Sequence, residues 1–149
     1  TSGNVFCSKS CAAKYNNRNK STGYRRSKME LFFELKIKET YPDLIFVSND
    51  RDLIGFELDF LFPELKFALE LNGIFHYEPI YKNKNFEIIQ ANDQQKLSLC
   101  RVMGVELYIL DISKCKHFSE KQGEIFWSIF NQTLKEILGR RKSIEPSSN

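Results

Sequence analysis

Apolar and polar residues alternate along two neighbouring segments in the middle of the chain. In the segment 54–62 every even-numbered residue is apolar, and in the segment 67–71 every odd-numbered residue is apolar. A period of two is that of a strand whose two faces differ. Between the segments, Pro63-Glu64-Leu65 predicts a turn, because proline fixes its own φ and donates no backbone hydrogen bond. The pattern therefore predicts an antiparallel hairpin with one apolar face and one polar face.

Helices and further strands are predicted on both sides of this hairpin. Three helices follow from caps and helical spacing: from the capping box Ser27–Glu30 to Tyr41-Pro42, from Asn92 to Gly104, and from the capping box of Ser119 and Gln122. Two apolar segments, 44–47 and 105–109, predict additional strands, and the second is expected to be central. The predicted fold class is α/β, with a small mixed β-sheet whose central hairpin is flanked by helices.

Two carboxylates share the polar face of the predicted hairpin. By parity Asp59 and Glu70 point the same way, and such a pair repels itself unless a cation lies between the two groups. Carboxylate oxygens bind hard divalent cations, so the pair is a candidate site for Mg²⁺ or Mn²⁺. His76 follows the second strand after Asn72-Gly73 and is a candidate for proton transfer. The alternatives are a solvated hairpin face and a structural histidine.

The order and spacing of these residues resemble a known family. Asp59, ten intervening residues and then Glu70-Leu71-Asn72 resemble the core motif of the PD-(D/E)XK nucleases, with asparagine where the lysine usually stands. Over 27–112 the chain is similar to the branch that contains the very-short-patch repair endonucleases and the EDxHD homing endonucleases. The resemblance implies a restriction-endonuclease-like fold. It also implies a site formed, by position, by Glu30, Asp59, His76 and Asp93.

The chemistry implied by this resemblance is metal-dependent hydrolysis of a DNA phosphodiester. Asp59 would bind Mg²⁺ or Mn²⁺, assisted by Glu70 or by the backbone carbonyl of Leu71. The metal would polarise the phosphate and lower the pKa of a bound water. A catalytically inactive DNA-binding module is the alternative, and the asparagine at position 72 is the best argument for it.

Four further residues complete the expected catalytic set. His76 would accept or donate the proton, while Glu30 and Asp93 would orient the water, the histidine or the outer shell of the metal. Lys96, one helical turn beyond Asp93, could supply the cation that Asn72 lacks. Glu30 could instead merely cap its helix, with Glu34 as its substitute one turn later. Asp93 could instead merely favour the helix dipole in a first turn.

Charge is distributed unevenly along the chain. The net charge is +3 over 149 residues, yet residues 1–28 contain seven basic side chains and no acid. The remainder then has 15 basic against 19 acidic side chains. A basic arm on an acidic body suggests that the arm contacts phosphates while the body holds a metal; the alternative is a soluble linker. The expected DNA-binding residues are Lys14, Arg18, Lys20, Arg25 and Arg26 in the arm, with Lys82 and Lys84 in the loop after His76.

The cysteines divide into two pairs. Cys7 and Cys11 are four residues apart, which suits half of a structural zinc site and resembles the second half of a zinc ribbon. Because four ligands are needed, we expect zinc in a longer protein that carries an upstream pair, and we interpret the chain as a fragment. Cys100 and Cys115 are expected to be buried, reduced thiols. Four free thiols are compatible with a reducing cytoplasm.

Together these observations predict a basic arm (1–26), a nuclease domain (27–140) and a disordered tail (141–149). The expected function is a site-specific, Mg²⁺-dependent endonuclease of the homing, phage-like type, acting on double-stranded DNA in the cytoplasm of a bacterium or a phage-infected cell. A dimer on DNA stays open as one oligomeric state. A mismatch-repair or restriction nuclease of the same fold, or a structural interaction domain with solvated acids, are the alternatives. No apolar run reaches the length that spans a bilayer.

Overall fold

The computed structural model describes residues 26–78 and 85–144, and its elements confirm an α/β protein with a mixed sheet. The elements are helix α1 (Lys28–Thr40), strands β1 (Val47–Asp50), β2 (Leu58–Phe62) and β3 (Phe67–Asn72), helix α2 (Asn85–Val102), strand β4 (Glu106–Asp111) and helix α3 (Glu120–Ile144). Single turns of 3₁₀ helix, Pro63–Leu65 and Ile74–His76, follow β2 and β3. Among the helices of these ranges, none combines the length and apolar character that crossing a membrane requires.

The four strands form one sheet in the order β1-β2-β3-β4. Strand β2 pairs antiparallel with β1 and β3, whereas β3 and β4 are parallel. The predicted hairpin is therefore confirmed, and its register aligns Phe60 with Leu69. The central position predicted for the strand after Gly104 was wrong, because β4 pairs with β3 alone in the described sheet. Its terminal residues Glu106 and Asp111 are exposed, as suits an edge strand.

Helices cover both faces of the hairpin. One face belongs to the main core with α1 and α3, and it contributes Phe60, Phe62, Phe67, Leu69 and Leu71. On the other face Leu61 and Ala68 pack with Cys100 of α2. All six residues of β3 are buried. The face that the alternation predicted as polar is thus largely covered by α2, and its carboxylates lie in a sheltered environment.

Two helix starts agree with the predicted capping boxes. The hydroxyl of Ser27 accepts the backbone N–H of Glu30 at 3.1 Å at the start of α1. At the start of α3, the backbone N–H of Gln122 donates to Ser119 Oγ at 3.2 Å. Each bond satisfies one of the N–H groups that a helix leaves without a partner in its first turn.

Helices α1 and α3 pack side by side on the main core. The rings of Phe33 and Trp127 meet edge to face with 5.6 Å between centroids. At Gly123 of α3, an added Cβ would lie 2.8 Å from the ring of Phe32 in α1. The missing side chain therefore permits the close approach of the two helices.

Several predicted boundaries were wrong for identifiable reasons. Strand β1 starts at Val47 rather than at 44. The apolar residue Phe46 precedes the strand, and its ring packs against the rings of Phe60 and Phe62 in the core. Strand β2 starts at Leu58 because a loop, with Gly55 at φ 82°, occupies the preceding residues. Helix α2 begins at Asn85, so Asn92 is not its cap. Helix α3 continues to Ile144, into the segment 141–149 that was predicted to be the tail.

Candidate active site

A cleft of about 580 Å³ opens where β2, β3 and α2 meet the start of α1. Every side chain predicted to be catalytic lines it: Glu30, Asp59, Glu70, His76, Asp93 and Lys96. These residues are far apart in sequence but close in space, because the hairpin places β2 beside β3 and α2 packs on the second face of the sheet. The fold thus assembles in one place the groups that sequence order had only suggested.

Asp59 and Glu70 lie side by side and are tied into the sheet backbone. The N–H of Leu71 donates to Asp59 Oδ2 at 2.8 Å. Burial and the negative charges of Glu70 and Glu30 raise the pKa of Asp59 well above its usual value. Burial likewise raises the pKa of Glu70 to about 7, although Lys96 opposes this shift. The pair therefore resists carrying two negative charges without a further cation.

Lys96 lies beside these carboxylates. Its Nζ is 3.3 Å from Glu70 Oε1, and the exposed fractions of the two side chains are 14% and 6%. Lys96 comes from α2, whereas Asn72, the residue at the lysine position of the motif, is buried and carries no charge. An ammonium group is thus present at the carboxylate pair despite the asparagine in the motif.

His76 and Asp93 form a second pair in the cleft. His76 Nδ1 is 2.8 Å from Asp93 Oδ2. A carboxylate on one ring nitrogen fixes the orientation of the imidazole and leaves the other nitrogen for proton exchange. The interpretation of Asp93 as a first-turn acid was wrong, because α2 begins eight residues earlier at Asn85. The position of Asp93 is therefore explained by its partner rather than by the helix dipole.

Glu30 contacts the residues at the start of α1 and also faces the cleft. Its Oε1 accepts the Ser27 hydroxyl at 3.2 Å, and Arg26 Nε lies 3.6 Å from its Oε2. It also lines the cleft, and its charge helps to raise the pKa of Asp59. The proposed substitute, Glu34, is instead ion-paired with Arg26 and Lys38 and does not line the cleft.

The opposite wall of the cleft holds three polar residues that the sequence analysis missed. Arg51 donates from Nε and Nη2 to Glu57 Oε2, at 2.9 and 2.6 Å. Asn49 Nδ2 donates to Glu57 Oε1 at 3.0 Å. All three line the cleft beside Asp59. They lie in a strand end and a loop without periodic pattern, and only the opposite charges of Arg51 and Glu57 could have hinted at their contact.

A metal at this site would depend on few protein ligands. In the ranges 26–78 and 85–144, no group of three or more His, Cys, Asp or Glu side chains is placed to hold a metal ion. Asp59 and Glu70 nevertheless offer oxygen ligands to a divalent cation, because the two carboxylates lie together in the cleft, where burial raises the pKa of both. Two carboxylates with water and substrate oxygens are a common set for Mg²⁺.

The other predicted binding residues fall mostly outside the described ranges. These residues are Cys7, Cys11, Lys14, Arg18, Lys20, Arg25, Lys82 and Lys84. Arg26 is described, and it lines the cleft with its guanidinium 6.0 Å from the ring centroid of Phe60. Of the remaining thiols, Cys100 is buried as predicted, whereas Cys115 is only partly buried.

Comparison with known proteins adds no assignment. No model of a protein family matches the chain, and no curated protein is similar to it. The function of the chain is therefore inferred from the geometry of the cleft.

Proposed function

We propose that this chain is a metal-dependent endonuclease that hydrolyses phosphodiester bonds in double-stranded DNA. The observation that supports this best is the convergence of the Asp59–Glu70 pair, Lys96 and the His76–Asp93 pair in one cleft. Such an arrangement offers oxygen ligands, a positive charge and a proton-transfer group to one substrate. The resemblance of the sequence to the PD-(D/E)XK nucleases supports the same reaction.

Asp59 and Glu70 would hold a Mg²⁺ or Mn²⁺ ion, which supplies positive charge at the phosphate and acidifies a bound water. Lys96 partly neutralises Glu70 and places a further positive charge next to the carboxylate pair. In this role it replaces the lysine that the family motif would supply at position 72. The asparagine there therefore does not by itself make the protein an inactive binding module.

His76 is the proton-transfer group in this proposal. Asp93 holds Nδ1, so the ring keeps one orientation and its second nitrogen is the one that exchanges a proton with water or the leaving oxygen. Glu30, anchored by Ser27 and Arg26, adds negative charge near Asp59 and is placed to orient a water. Whether the DNA target is that of a homing, repair or restriction enzyme depends on contacts outside this chemistry.

Nicking of a supercoiled plasmid, with Mg²⁺ and with a chelator, tests the proposal. Asp59→Asn and His76→Ala should each reduce the Mg²⁺-dependent rate by about 10²- to 10⁴-fold, the usual range for loss of a positioned catalytic group. Asp43→Asn and His117→Ala are matched controls, since both residues are exposed and lie outside the cleft. They should retain the full rate. Chelator-resistant nicking, or full activity of Asp59→Asn, would refute the assignment.

The inactive DNA-binding module is the second candidate. It would bind duplex DNA without cleaving it in any divalent cation, and Lys96 would then serve only to balance the charge of Glu70.

A further inference from the structure

The wall formed by Asn49, Arg51 and Glu57 has no part in the reaction described above. It lies on the β1 side of Asp59, whereas His76 and Lys96 lie on the side of β3 and α2. A substrate strand that places its phosphate at Asp59 must therefore pass close to this wall. The wall is a candidate for binding the strand on either side of the reacting phosphate.

Glu57 is less suited to bind a metal, because three hydrogen bonds from Arg51 and Asn49 already hold its carboxylate. One oxygen accepts two hydrogen bonds from Arg51, and the other accepts the amide of Asn49. These bonds instead hold the guanidinium in one orientation. Five N–H groups belong to an arginine, and the two used here leave three, of which two are on Nη1.

The backbone around Arg51 is also fixed. The N–H of Gly55 donates to the carbonyl of Arg51 at 3.1 Å, and Asp50 Oδ2 accepts the N–H of Leu53 at 3.1 Å. Gly55 has φ 82°, and Asn49 has φ 54°, a region that non-glycine residues seldom occupy. Such conformations persist where the surrounding structure enforces them, as it often does at functional sites. Arg51 is thus preorganised, and little entropy is lost when it binds.

Charge and exposure select Arg51 among the cations of the cleft. Five carboxylates line the cleft together with Arg26, Arg51 and Lys96. The exposed fraction is 41% for the Arg51 side chain, against 21% for Arg26 and 14% for Lys96. The other two cations are less exposed and lie against acidic side chains, Arg26 against Glu34 and Lys96 against Glu70. Arg51 is therefore the most exposed of these three cations of the cleft and the first that an incoming polyanion meets.

We infer that Arg51, oriented by Glu57, binds a backbone phosphate of the DNA strand next to the phosphate that is hydrolysed. This inference rests on the proposed nuclease function. A guanidinium suits this task because its planar donors match phosphate oxygens, and a phosphate contact carries no sequence information.

The test uses Asp59→Asn protein, in which cleavage is expected to be lost, and measures dissociation constants for two duplexes of unrelated sequence over a range of salt concentrations. Adding Arg51→Gln should weaken binding to both duplexes equally, by about tenfold, and should reduce the slope of log affinity against log salt by about one. Arg51→Lys should recover part of the affinity, since lysine keeps the charge but not the planar fork. Arg101→Gln, exposed at the end of α2 and outside the cleft, is the charge-matched control and should change neither quantity.

An unchanged salt slope in Arg51→Gln would overturn the inference, and a loss confined to one duplex would replace the phosphate contact by a base contact. Nicking by the protein without any substitution distinguishes a failure of this inference from a failure of the nuclease proposal. If that protein cleaves DNA while Arg51→Gln binds normally, only the role of Arg51 fails. If it neither binds nor cleaves DNA, the nuclease proposal fails and takes this inference with it.

Discussion

Without a divalent cation, the folded protein should lose stability as the pH rises, because the cleft forces two carboxylates together. Burial raises the pKa values of both Asp59 and Glu70, and the positive charge of Lys96 opposes both shifts. In the unfolded chain the same groups ionise at their ordinary pKa values. The folded state therefore binds more protons than the unfolded state over the interval between the two values.

The size of the effect follows from Glu70, whose pKa rises from 4.5 to about 7. Since one unit corresponds to about 1.4 kcal/mol, ionising Glu70 in the fold costs about 3 kcal/mol relative to the unfolded chain. The free energy of unfolding should fall by this amount between about pH 4.5 and about pH 7 and change no further through this group. Asp59 contributes a loss of the same sign that begins near its ordinary value of 3.8.

Urea unfolding followed by the fluorescence of the single tryptophan, Trp127, measures this free energy. In chelator, Asp59→Asn should be more stable than the native sequence at about pH 8, and the difference should shrink towards about pH 4. Asparagine keeps an acceptor for the Leu71 N–H, so the variant removes charge rather than the bond. Mg²⁺ at about 100 times its dissociation constant should stabilise the native sequence by about 2.7 kcal/mol at high pH, and Asp59→Asn much less.

Asp43→Asn is the control for this experiment, because it makes the same substitution at an exposed site outside the cleft. If Asp59→Asn and Asp43→Asn gave the same pH dependence as the native sequence, the carboxylate pair would be solvated. The argument for a metal site would then be refuted.

Two further predictions concern the lysine of the cleft and the packing of the helices. Lys96→Gln should reduce Mg²⁺-dependent nicking. Adding Asn72→Lys to this variant should restore part of the rate, because the new lysine supplies an ammonium group from the position of the family motif. No recovery would count against this role of Lys96. Gly123→Ala should lower the free energy of unfolding by about 1–3 kcal/mol, since the added methyl group would displace the Phe32 ring. Gly139→Ala is the control, because a Cβ at that position meets no atom within 4 Å and should cause no clash. Urea unfolding distinguishes these two variants, and equal stability would contradict the packing argument.

Features that depend on neighbouring residues could be predicted from the sequence. The period of two in 54–62 and 67–71 predicted the hairpin, whose strands are Leu58–Phe62 and Phe67–Asn72. The capping boxes at Ser27 and Ser119 predicted two helix starts. Parity alone placed Asp59 and Glu70 on one face of the sheet. These signals are readable because backbone geometry and turn chemistry act over a few residues.

Contacts between distant segments needed the tertiary structure. The alternation along β3 predicted one polar face, but α2 folds over that face and buries Glu70, and this burial sets its pKa. Lys96 reaches Glu70 across 26 residues of sequence, and Arg51 meets Glu57 across a loop without periodic pattern. Desolvation and charge pairing depend on which elements pack together, and no local pattern carries that information. Parity could therefore place two acids on one face. The packing of α2 decided that these acids are buried and lie beside Lys96, and the loop before β2 formed the opposite wall of the cleft.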